Sequence, residues 1–199
     1  MSIKAVTVFC GSSPGGRPIY AETARLLGRH LAELGVTLVY GGGRVGMMGQ
    51  LADAALEAGG EVTGVITRHL YNMEVGHTGT DLKIVESMHE RKALMAESGD
   101  GFIMMPGGLG SLDEFFEALT WAQLGLHSKP CGILNVDGYF NGLLDFIDHI
   151  REEQFMSPGA RQLILHEQRV AALLDKMHNY QPAPSDKGRW AKTLSQLEA

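Results

Sequence analysis

The segment Pro106-Gly107-Gly108-Leu109-Gly110-Ser111 has the composition of a phosphate cradle. Glycine accepts positive φ and, lacking a side chain, lets backbone N–H donors approach an anion. The segment follows the apolar run Phe102-Ile103-Met104-Met105 and leads into a helical pattern from Ser111 to Leu124. It therefore lies where a strand hands over to a helix amino terminus, whose unpaired N–H groups attract anions. Three residues beyond Ser111 stands Glu114. A phosphate held by the loop would bring the ribose of a nucleoside monophosphate near that carboxylate, which can stabilise the oxocarbenium-like transition state of glycosidic cleavage. At a helix start Glu114 is expected to stay ionised, which suits charge stabilisation or water activation better than proton donation. The S-x-x-E spacing is equally that of a capping box, so a purely structural Glu114 stands beside the catalytic one.

Ser87-Met88-His89-Glu90 repeats that spacing at the start of a second helical stretch, Met88 to Glu97, directly after an apolar run ending at Val85. Arg91 falls in its first turns, where a guanidinium can polarise a phosphate, the ribose hydroxyls or a leaving base. The alternative is a solvated basic pair with Lys92, which points about 100° away round the helix. Met88 and Met95 share the side of Arg91, as site wall or as ordinary core. His77 and His89 have no partners at metal-ligand spacing, so no metal is expected. Lys92 and Lys129 are the candidates for a pyridoxal phosphate Schiff base, but nothing around them marks a cofactor site.

Two further strands run into glycine turns, Cys10-Gly11-Ser12-Ser13 and Gly41-Gly42-Gly43-Arg44-Val45-Gly46. In open parallel sheets ligands bind outside the carboxyl ends of the strands, so loops converging there favour a binding site over tight turns alone. Gly41, Gly43 and Gly46 also match the dinucleotide pattern GxGxxG. That pattern wants an acidic residue at the end of the next strand. Here the strand ends at Ile66-Thr67-Arg68. Hydride transfer therefore ranks below mononucleotide chemistry, although Arg68 could meet the extra phosphate of NADP.

The elements that must position these residues follow from the pattern of apolar runs. Ala5 to Cys10, Val36 to Tyr40, Val62 to Ile66, Leu82 to Val85, Phe102 to Met105 and Gly132 to Val136 have strand length, and most are followed by segments of helical period. Such alternation predicts an α/β, Rossmann-like fold: a mostly parallel sheet with helices on both faces. The 199 residues, 44% hydrophobic, suit a single domain. We place it at residues 1–180 and read 181–199, which opens Gln181-Pro182-Ala183-Pro184, as a poorly ordered tail. Arg68 to Asp81 reads as a long loop of the kind used as a lid. A net charge of −6 opposes binding to duplex nucleic acid. Two cysteines without CxxC spacing read as reduced, buried thiols in a cytoplasmic protein. The amino-terminal apolar run is too short for a signal peptide or a membrane span.

Gly41 to Gly49, Ser87 to Lys92 and Pro106 to Glu114 resemble, in order, the signature segments of the LONELY GUY family of cytokinin riboside 5′-monophosphate phosphoribohydrolases. The likeness runs from about Ala5 to Tyr180 and includes Trp121-Ala122-Gln123-Leu124-Gly125 and Leu134-Asn135-Val136-Asp137-Gly138-Tyr139. The family was often labelled lysine decarboxylase, a label that the missing pyridoxal features do not support. The resemblance implies hydrolysis of AMP or a prenylated AMP to free base and ribose 5-phosphate, without metal or cofactor. It places Arg91 and Glu114 at the catalytic positions. Glu74, Met88, Lys92, Gly107, Gly108, Leu109, Gly110, Ser111, Leu112, Asp113 and Thr120 fall at substrate-contacting positions. It also implies a homodimer or larger assembly with sites near the subunit interface, for which Phe115, Leu119 and Ala122 supply a helical stripe. Ser111 stands where threonine is usual, keeping the hydroxyl, and Tyr71 to Thr80 fits the family less well, which bears on the base substituent. Related Rossmann-like proteins carry molybdenum cofactor or process DNA. A non-catalytic nucleotide or cofactor carrier is thus the alternative, and the Arg91 and Glu114 pair favours the enzyme.

Overall fold

Strands such as Thr37-Leu38-Val39-Tyr40 and Gly101-Phe102-Ile103-Met104 are apolar at almost every position because both of their faces are covered. The computed structural model describes residues 3–73 and 76–182. Along the chain run β1 (Ala5–Phe9), α1 (Pro18–Glu33), β2 (Thr37–Tyr40), α2 (Gly46–Glu57), β3 (Val62–Thr67), α3 (Arg68–Met73), β4 (Asp81–Val85) and α4 (Met88–Ser98). They continue with β5 (Gly101–Met104), α5 (Leu109–Gln123), β6 (Cys131–Leu134), α6 (Asn141–Glu152), α7 (Pro158–Gln162), β7 (Ile164–Glu167) and α8 (Val170–His178). Among the described residues the sheet has seven strands in the order β4-β3-β2-β1-β5-β6-β7. All of its pairings are parallel.

Each face of the sheet carries its own core, and the pleat of β1 divides between them: Val6 and Val8 join the layer beneath α1, α2 and α8, and Phe9 the layer beneath α4, α5 and α6. Thr7 also points to the second layer, and its hydroxyl donates to the Met95 carbonyl at 2.8 Å. These two layers around one sheet form a single domain. The strand order reverses at β1, which pairs with β2 on one side and β5 on the other. Reversal sends the following helices to opposite faces and leaves a crevice between the loops after β1 and β5, where ligands of such sheets bind. The loops touch there, Gly11 N–H donating to the Pro106 carbonyl at 3.1 Å.

Two elements differ from the expectation. The first part of the expected loop Arg68 to Asp81 is helix α3, whose start is capped by Thr67 Oγ1 accepting from Leu70 N–H at 3.2 Å. The expected tail begins at 181, and residues 183–199 lie outside the described ones. No helix among the described residues is long and apolar enough to cross a membrane.

Helices α1 and α2 pack so closely that a Cβ on Gly28 would lie 2.2 Å from the Leu51 carbonyl oxygen. Gly28→Ala must therefore push the helices apart, and overpacking of this kind costs about 1–3 kcal/mol. A thermal melt should show a drop of several degrees, and an unchanged midpoint would mean that the two helices separate freely.

Candidate active site

Helix α5 begins at Leu109, with Gly108 as its N-cap in extended conformation and no side chain capping it. The first N–H groups of the helix are thus left for solvent or an anion. A Cβ on Gly108 or Gly110 would meet nothing within 4 Å, so neither glycine is required by packing inside the protein. What they leave clear is an approach to the backbone. Gly107 is different: a Cβ there would lie 2.2 Å from Ser111 Oγ and 2.9 Å from Gly11 N.

This start removes the capping-box reading of Glu114, because Ser111 already lies inside the helix. The other S-x-x-E is a true box: Glu90 N–H donates to Ser87 Oγ at 3.1 Å, and Ser87 N–H donates to Glu90 Oε2 at 3.3 Å. Glu114 instead meets Arg91 across the gap between α4 and α5, its Oε1 accepting from Arg91 Nη1 in a short contact. The guanidinium is 6% exposed. Its Nε donates to the Val65 carbonyl at 2.9 Å and Nη2 to the Gly41 carbonyl at 3.3 Å. A charge buried this deeply is tolerable only when paired and hydrogen-bonded, and Arg91 is both. Burial raises the Glu114 carboxyl above the ordinary range, and Arg91 only partly offsets it. The helix start, more than a turn away, does not hold the carboxyl low as expected, because the side chain is 11% exposed and burial outweighs it.

These groups line a pocket of about 350 Å³, walled by Gly11, Ser12, Gly41, Met48, Leu70, Met88, Arg91, Gly108, Leu109, Gly110, Ser111 and Glu114. Its three glycine walls are the three loops expected to converge. Burial holds Cys10, also on this wall, as a neutral thiol. A larger pocket of about 590 Å³ lies at the ends of β6 and β7. Arg161 pairs there with Asp148 and Lys176 with Glu167, and none of the expected site residues lines it.

The remaining expected residues lie elsewhere. Lys92 turns away from the pocket to pair with Asp113 at 3.3 Å and Glu117 at 3.1 Å, tying α4 to α5. Leu112 is half-buried against the second core. Thr120 is exposed, its hydroxyl donating to the Phe116 carbonyl at 2.7 Å. Gly107 backs the cradle from an adjoining pocket and accepts from Tyr139 Oη at 2.7 Å. Glu74 lies outside the described residues. Phe115, Leu119 and Ala122 are buried in the domain's own core, so they cannot form a subunit interface. Sequence reasoning missed Met48 and Leu70, whose apolar character gave no signal beyond that of core.

The family model described as "Possible lysine decarboxylase" matches residues 48–177. A cytokinin riboside 5′-monophosphate phosphoribohydrolase of Arabidopsis thaliana is 48% identical over 180 residues, 90% of this chain and 83% of the relative. One from Rhodococcoides fascians is 51% identical over 164 residues, 81% of this chain and 83% of that one. The chain belongs to the LONELY GUY family of phosphoribohydrolases. Neither Lys92 nor Lys129, the two lysines weighed for a Schiff base, lines the pocket. Among solved structures, the molybdenum cofactor carrier protein of Chlamydomonas reinhardtii superposes with a TM-score of 0.67 at 19% identity, covering 90% of this chain and all 100% of that one. A molybdenum cofactor binding protein of Rippkaea orientalis gives 0.66 at 21%, covering 89% and 97%. At such identities the likeness is one of fold.

A carboxyl raised by burial favours the fold in its protonated form, so its contribution to stability falls as pH rises through the raised value. Glu114→Gln imitates the protonated form and keeps an acceptor for Arg91. It should melt at or above the wild-type temperature at neutral pH, with the difference shrinking in acid. A melt several degrees below wild type would instead make the ion pair a net stabiliser.

Proposed function

We propose that this chain hydrolyses the N-glycosidic bond of an adenine-type nucleoside 5′-monophosphate, releasing the free base and ribose 5-phosphate. The observation that carries the reading is the Arg91 and Glu114 pair set against an uncapped helix start in one pocket. The names of the relatives support the substrate class. In this reading the N–H groups of Leu109, Gly110 and Ser111, with the Ser111 hydroxyl, bind the phosphate and fix the sugar. The C1′–N bond breaks with its electron pair leaving on the base, which takes up a proton. Water adds its hydroxyl to C1′, and Glu114 stabilises the positive charge developing there and orients that water. Arg91 keeps the carboxylate charged in a buried setting and offers cationic N–H groups to the ligand.

Leu70, Met88 and Leu109 make the mouth of the pocket apolar, and Met88 and Leu109 are exposed. Such a mouth suits an apolar substituent on the base, so prenylated AMP is the preferred substrate in this proposal. The same exposed residues, with Met73, Leu124 and Leu126, support a homodimer or larger assembly, and we place the protein in the cytoplasm on its two reduced thiols.

Product chromatography on purified protein tests the reaction. The 5′-monophosphate should be cleaved and the free riboside hardly at all, since the cradle's binding energy positions the sugar. Prenylated AMP should exceed AMP in kcat/KM by about tenfold, the contribution of a partly buried apolar group. Glu114→Gln should lower kcat by about a hundredfold or more, and kcat/KM of the wild type should show an acidic limb that this variant lacks. Recovery of the nucleotide intact would make the protein a carrier, and equal rates on riboside and monophosphate would remove the cradle from the argument. Light scattering at micromolar concentration should give at least twice the 21.6 kDa chain mass, and a monomeric mass overturns the assembly.

A further inference from the structure

We infer that His77 is a positioning residue: its imidazole, anchored on Asp53, fixes the glycine turn against which the Arg91 guanidinium is aligned. The inference deepens the proposed function, since it rests on Arg91 acting in the reaction.

His77 is polar yet 7% exposed, and both of its ring nitrogens are used. Nδ1 accepts from Gly79 N–H at 3.2 Å, which leaves the proton on Nε2 to be donated to Asp53 Oδ1 on α2 at 2.8 Å. The carbonyl accepts from Thr80 Oγ1 at 2.9 Å, and the backbone N–H donates to the Gly42 carbonyl at 3.0 Å. Beside it Gly76 pairs with Gly43 in an antiparallel bridge. The buried ring thus holds a backbone segment that pairs directly with the turn after β2.

That turn has little room of its own. Gly42 sits at φ +77, and a Cβ there would meet Leu82 Cδ1 at 3.0 Å and Ile66 Cβ at 3.1 Å. Gly41 is pressed on the guanidinium, where a Cβ would lie 2.5 Å from Arg91 Nη2, and its carbonyl accepts from the same nitrogen. Through Gly42 and Gly41 the position of His77 is passed to Arg91, and from Arg91 to Glu114. Asp53 is about half exposed, so its bond to His77 contributes little to stability. Its effect is on direction, because an anchored ring has one orientation in the core.

The test uses His77→Ala, His77→Gln, Asp53→Ala and the His77→Ala, Asp53→Ala double variant of the full chain. A displacement of about 1 Å at a catalytic group lowers turnover by up to about a hundredfold. His77→Ala should therefore lose about tenfold or more in kcat on the monophosphate. The cradle on α5 does not touch His77, so inhibition by ribose 5-phosphate should stay within about twofold. The glutamine side chain can return an N–H to Asp53, and His77→Gln should recover most of kcat. Asp53→Ala should reproduce the loss, with the double variant no worse than either single one. The Arg91 Nε–H resonance, protected in wild type by the Val65 carbonyl, should shift and exchange faster in His77→Ala and return in His77→Gln. Normal kcat and an unchanged resonance in His77→Ala overturn the inference whatever its melting temperature. So does a loss that glutamine fails to rescue. If the wild type cleaves no nucleotide the proposed function fails, while the Arg91 resonance still decides the positioning claim.

Discussion

A guanidinium taken out of water must find a partner for its charge and acceptors for its N–H groups, and Arg91 finds them on three elements that the fold had to bring together. Val65 belongs to β3, Gly41 follows β2, and Glu114 belongs to α5 beyond β5. Only a parallel sheet ordered β3-β2-β1-β5 sets those strand ends side by side with α4 lying across them. Deleting any one acceptor outright would leave a buried donor unsatisfied, which costs more than a surface pair contributes. The pair is thus the joint of the upper edge of the sheet as well as the centre of the proposed chemistry.

The cradle is built on the opposite principle. Where three of the five Arg91 N–H groups find acceptors in the protein, the start of α5 is left unsatisfied, with no side-chain cap and with two glycines that open the backbone outward. A helix start with glycine at the N-cap rather than Ser or Asp forgoes only about a few tenths of a kcal/mol. A phosphate there recovers that and more, because the donors are fixed before it arrives. Placing a buried carboxylate near a site for an anionic ligand also works against stability, and such sites are where functional proteins concentrate strain of this kind.

Much of this was legible in the sequence because it depends on local rules. Uninterrupted apolar runs such as Phe102 to Met105 name central strands, and glycine after a strand names a ligand loop. What was not legible depends on contacts across the fold. Ser87 and Ser111 begin identical S-x-x-E strings, yet only the first is a cap, because Gly108 lets α5 start two residues before Ser111. Phe115, Leu119 and Ala122 form a helical stripe that would serve an interface or a core equally well, and only their neighbours on the strands and helices of the same face make it core. The upward push of burial on the Glu114 carboxyl was not legible for the same reason, since burial against α4 is invisible along the chain. Strand β7 went unread because Ile164-Leu165-His166-Glu167 edges the sheet and only Ile164 is fully buried, leaving an apolar run of two residues before a polar pair.

The solved structures of molybdenum cofactor carriers share this sheet at about one residue in five. A crevice at the strand reversal follows from the topology alone and therefore comes with the fold, whatever ligand occupies it. Chemistry does not come with it. A uniformly binding crevice holds its ligand, and a reaction needs groups whose interaction strengthens as charge develops. In the proposed reaction that requirement falls on two residues from neighbouring helices on one face, α4 and α5, whose ion pair is buried. The carriers' likeness in fold therefore argues neither for nor against catalysis, and the case for hydrolysis rests on the Arg91 and Glu114 pair set beside an open helix start.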